Sequence, residues 1–123
     1  MNISIIDTIQ LLSVKSWNNF NINREVRTDD FDDETASAEY NAYSDLNQVI
    51  YWAVTKGLDE ETVLEQVKAR IVAEASEYAT RVADGEYLNS PSNRALLVAN
   101  AEVTAAIAKA VVDNDASQLK LHI

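Results

Sequence analysis

The densest reactive stretch of the chain is Asp29-Asp30-Phe31-Asp32-Asp33-Glu34, five carboxylates in six residues. Oxygen ligands at alternate places could hold calcium, provided a glycine at place six allows the turn and a bidentate Glu at place twelve closes the shell. Counted from Asp30, Asp32 and Glu34 fall at places three and five, but Thr35 stands at six and Asn41 at twelve. The loop fails and no metal is expected. The run fits better as the acidic start of the following helix, where the helix dipole favours negative charge. The alternative is a recognition patch of Asp29, Asp30, Asp32, Asp33 and Glu34.

Other candidates are few. His122 is the sole histidine, with no second ligand and no nucleophile pattern near it, so a solvent-facing side chain is expected. The Glu-x-x-His spacing of di-iron bundles is missing, and no pair among the twenty acids stands out by spacing. No catalytic residue, cofactor site or enzymatic activity is expected. Tyr40, Tyr43, Tyr51 and Trp52 form an aromatic group beside the acidic run. At helical spacing such residues usually belong to a core; they could instead form a partner-binding face, since Tyr and Trp are enriched at interface hot spots.

These side chains must be positioned by helices. The best-marked one spans 60–84. Asp59 is a suitable N-cap, Glu60 and Glu61 suit the dipole, and Leu58 with Val63 has the spacing of a hydrophobic staple. Leu64, Val67, Ile71, Ala75, Tyr78 and Val82 step by three or four along one stripe. Gly85 then offers a left-handed C-terminal position. Upstream, residues 33–56 carry Ala36, Tyr40, Tyr43, Asn47, Ile50 and Ala53 at helical spacing and end at Gly57, so the two helices form an antiparallel hairpin. Downstream, Ser90-Pro91 reads as a helix start and 91–113 as a helix apolar on most sides, which must be covered by the rest of the chain or by another subunit.

The first residues predict a shorter helix over 4–17, with Ser4 and Asp7 resembling a capping box. Residues 18–28 contain Asn18, Asn19, Asn21 and Asn23, which favour turns, with Phe20, Ile22 and Val26 on alternate positions. A loop or a short extended segment at 20–27 is expected there. Alternation of Leu119, Leu121 and Ile123 suggests an edge strand or docking segment at 118–123.

Composition bounds the rest. A chain of 123 residues can bury a core as one domain, here 1–123. With 47% hydrophobic residues, two glycines and one proline, it is neither disordered nor turn-rich all-β. Disulfides and thiolate sites are excluded by the lack of cysteine. The N-terminus lacks the features of a signal peptide, and no run of eighteen apolar residues is present, so no membrane-spanning helix and no membrane partner is expected. A cytoplasmic or virion-associated setting is expected over secretion. The net charge of −10 lies entirely between Thr28 and Gln66, where eleven acids face Lys56 alone. That sign argues against direct nucleic-acid binding.

The expectation is an all-α bundle of three long helices plus a shorter first one. It would act without chemistry, through protein partners or as a homo-oligomer, as a subunit or adaptor of a larger, viral-type assembly. The alternative is an acidic inhibitor that mimics nucleic acid and blocks a basic groove.

Overall fold

A computed structural model describes residues 4–25 and 33–122. It contains four helices, α1 (Ile5–Glu25), α2 (Asp33–Thr55), α3 (Glu60–Ala83) and α4 (Pro91–Val112), then a single 3₁₀ turn at Ala116–Gln118. No strand occurs among the described residues. The chain is an all-α bundle.

Three helix ends close by one device. Gly57, Gly85 and Asn114 have φ of 76°, 76° and 51°, the left-handed conformation that ends a helix. At the first, the Leu58 N–H donates to the Ala53 carbonyl (3.1 Å) and the Gly57 N–H to that of Val54 (2.9 Å). The second and third repeat this Schellman pairing, Glu86 to Arg81 and Asp115 to Ala110, which satisfies carbonyls that the helix itself leaves open. Helix starts are marked as expected at Ser4, whose Oγ accepts from the Asp7 N–H at 3.0 Å, and at Asp59, whose Oδ1 accepts from the Thr62 N–H at 2.8 Å. Ser90 occupies the cap position of α4, but its side chain makes no capping bond; its Oγ accepts from Asn93 Nδ2 instead.

The first helix corrects the sequence reading. It continues through residues 18–25, where a loop or extended segment was expected, and at 21 residues is nearly as long as the 22 to 24 of the other three. Val26 and Arg27, the last two residues of that proposed segment, lie outside the described residues. Four asparagines cost up to about 3 kcal/mol of helix propensity in all. Against that, Trp17 and Phe20 bring their rings to Tyr40 of α2, at centroid distances of 5.1 and 5.7 Å. Aromatic pairs contribute about 0.5–1.5 kcal/mol each beyond the area they bury, so packing overrides the local preference.

The core joins all four helices. Ile5, Ile9 and Leu12 from α1 meet Tyr43, Leu46 and Ile50 from α2, Val63, Val67 and Ile71 from α3, and Val103, Ile107 and Val111 from α4. Neighbours in sequence pack on each other, and α4 also packs on α2. Of the expected α3 stripe Val67 and Ile71 are buried, with Val63 joining them, whereas Leu64, Ala75, Tyr78 and Val82 are half-buried. Arg94 of α4 ties down the α3 end, donating to the Val82 carbonyl at 3.2 Å and the Glu86 carbonyl at 3.0 Å.

Of the two coverings proposed for α4, the chain itself supplies the larger part, through α2 and α3. Ala105, Ala106 and Val112 stay exposed. By length and composition α4 could cross a membrane, with a mean hydropathy of 1.7, because Asn100, Glu102 and Thr104 interrupt its apolar run without outweighing it. Half of that stretch is buried inside the bundle. After α4 the tail turns back along the core as a docking segment rather than a strand: Leu119 is buried and Leu121 packs against the same cluster.

Candidate functional site

The residues singled out by sequence do not form one surface. Asp29, Asp30 and Asp32 lie outside the described residues. Asp33 begins α2, and Glu34 is half-buried one residue later. Tyr40 is half-buried between Trp17 and Phe20. Tyr43 is a core residue, 1% exposed; burial, then the nearby Glu39 charge, pushes its phenol well above the ordinary range. Tyr51 and Trp52, on the last turns of α2, are 64% and 56% exposed and meet edge to face at 5.9 Å. Of the four aromatics, these two present most of their surface to solvent.

Two polar constellations escape a sequence reading. The first bridges α2 and α3. Arg70 is forked on Asp45, Nε to Oδ2 at 2.9 Å and Nη2 to Oδ1 at 3.0 Å, and its Nε also reaches Glu74 Oε1 at 2.9 Å. Burial, then a hydrogen bond to Asp45 and its charge, pushes the Glu74 carboxyl up to about 7. Burial also acts upward on Asp45, but hydrogen bonds from Glu74 and Arg70 hold it below the usual carboxylate range. The two shifts run in opposite directions, so a proton held at this site belongs on Glu74 rather than on Asp45. Such displaced pairs occur at active sites and in structural ion networks alike. Its residues line neither the groove at the starts of α1 and α3 nor the shallower one beside Pro91 and Arg94.

The second holds the tail. Glu39 is 2% exposed, and its Oε2 accepts from the His122 backbone N–H at 3.0 Å and lies 2.8 Å from His122 Nδ1. The imidazole is exposed, as expected, yet anchored at one nitrogen. One turn along α2, Tyr43 hydrogen-bonds the Lys120 backbone. A carboxylate buried this deeply needs such donors, because desolvation without them costs several kcal/mol.

An open groove of about 1090 Å³ lies at the bundle end where α1 and α3 start and α4 finishes. Ile6 and Leu11 of α1, Leu64 of α3 and Ala116 form its apolar floor, and among the described residues Glu60, Glu61 and Asp115 are the charged ones that line it. Asp115 is engaged by Ser117 and Gln118. Glu60 and Glu61 are exposed. Since α2 ends where α3 begins, the Tyr51–Trp52 pair belongs to this same end of the bundle.

Comparison with protein-family models, with curated proteins and with solved structures finds no match for this chain.

Proposed function

We propose that the chain is a non-enzymatic binding module that works through contacts with other proteins, as a subunit or adaptor. The observation that carries this is the Tyr51–Trp52 pair, two adjacent large rings more than half exposed, with Val54 beside them 58% exposed. Single exposed apolar residues are ordinary on protein surfaces. Adjoining Tyr and Trp rings are the side chains that dominate interface energetics. A nucleic-acid mimic draws less support, because three of the eleven clustered acids are committed internally: Glu39 to the tail, Asp45 to Arg70 and Asp59 to the α3 cap.

Photo-cross-linking in the cells that make the protein tests this. A benzophenone-bearing residue at position 51 or 52 should yield one discrete protein adduct that the same residue at the exposed Lys68 does not. Equal adduct patterns at all three positions, or none at 51 and 52, would overturn the proposal.

A further inference from the structure

We infer that the groove between the starts of α1 and α3 receives a basic amphipathic helix from a partner protein. This rests on the protein-contact reading above and adds the class of partner. The apolar part is built: Ile6, Leu64 and Ala116 pack one face on the core and turn another into the groove. Leu11 completes the floor, 49% exposed. Four apolar residues, three along two helices and Ala116 on the 3₁₀ turn, suit an apolar stripe at i, i+3, i+4 and i+7, the pattern by which helices seat in grooves.

Charge selects the occupant. No lysine, arginine or histidine lines the groove among the described residues. Glu60 and Glu61 stand at its rim, and neither has a partner among the described residues. Their carboxylates favour the α3 dipole, and an incoming cation would gain a charge-assisted contact there. A second copy of this chain would bring a net charge of −10 against an acidic rim, an arrangement that disfavours association. Nucleic acid and anionic membrane are disfavoured by the same sign. A strand-like peptide has no sheet edge to extend among the described residues. The remaining complement is a helix with an apolar stripe flanked by Lys or Arg.

The test uses a labelled synthetic Leu/Lys peptide with leucines at i, i+3, i+4 and i+7, and a scrambled peptide of identical composition and charge. Fluorescence anisotropy against the full chain should show saturable binding of the patterned peptide, at least tenfold tighter than of the scramble. Leu11→Lys, at a half-exposed position that does not threaten folding, should weaken binding tenfold or more. Glu60→Gln with Glu61→Gln, leaving the Asp59 cap intact, should weaken binding at low salt and flatten its salt dependence. Backbone chemical shifts should move at Ile6, Leu11 and Leu64. Equal binding of the scramble, or insensitivity to Leu11→Lys in a variant with unchanged circular dichroism, would overturn the inference. Shifts confined to Tyr51 and Trp52 would also overturn it while leaving the broader protein-contact proposal standing.

Discussion

Two carboxyls and one guanidinium meet at the α2–α3 contact, and the raised Glu74 carboxyl predicts a stability that depends on pH near neutrality. Glu74, with its carboxyl pushed up to about 7, binds a proton more tightly folded than unfolded, where the ordinary value of 4.5 applies. The native state therefore holds the extra proton between those values, and linkage requires stability to fall as pH rises through that window. Above about 7 the carboxylates of Asp45 and Glu74 repel, with Arg70 shared between them and the half-buried Tyr78 close by. Asp45 acts oppositely: its carboxyl lies below the ordinary 3.8, so its contribution is present above that value and lost in acid. Urea unfolding from pH 5 to pH 8 should show a falling midpoint, and Glu74→Gln should flatten the fall by keeping a neutral donor to Asp45. A wild-type midpoint no more pH-dependent than that of Glu74→Gln would mean that Glu74 holds no extra proton in the native state.

Among the elements, the ends were the most legible in the sequence. Gly57, Gly85, Asp59 and Pro91 each mark a boundary through local chemistry, and all four boundaries occur. The two glycines permit a quantitative comparison. Both have φ of 76°, which costs a residue with a Cβ about 1–2 kcal/mol. At Gly57 an added Cβ meets nothing within 4 Å, whereas at Gly85 it comes within 2.9 Å of Leu88 Cδ1. Gly57→Ala should therefore lower stability by about 1–2 kcal/mol through φ alone, and Gly85→Ala by somewhat more, unless Leu88 swings aside. Urea midpoints at an unchanged m-value would measure both. What stayed hidden depends on distant partners. The second half of α1 looked like a loop because Asn18, Asn19, Asn21 and Asn23 speak for turns locally, while Tyr40, which Trp17 and Phe20 need, lies beyond the acidic run. Arg70 meets Asp45 only because of how two helices are rotated against each other, and periodicity alone does not fix that rotation. Tyr51 and Trp52 were visible as candidates, but their exposure and the burial of Tyr43 in the same aromatic group depend on which side of α2 faces its neighbours.

For the molecule as a whole, α4 decides how much apolar surface remains for association. Its main faces are taken by α2 and α3, leaving small alanines and Val112 outside. Like charge opposes a second copy at low ionic strength, and screening at high salt removes that opposition without supplying a large apolar contact. Light scattering on a size-exclusion column should therefore give a monomer at both low and high salt. A salt-resistant oligomer would mean that the Ala105, Ala106 and Val112 face is buried by another copy, and would make self-assembly the mode of action.

The anchoring of His122 on Glu39, residues separated by 83 positions, also bears on the order of folding. Most other contacts join helices adjacent in sequence, the local kind that forms fast, whereas this one waits on the packing of α4 against α2 that brings the tail alongside. Until the tail arrives, the Glu39 carboxylate must be satisfied by water. The bundle would thus pass through a stage in which its helices are paired while a wet seam remains beside Glu39 and Tyr43, and the docking of a few C-terminal residues would be the step that dries it.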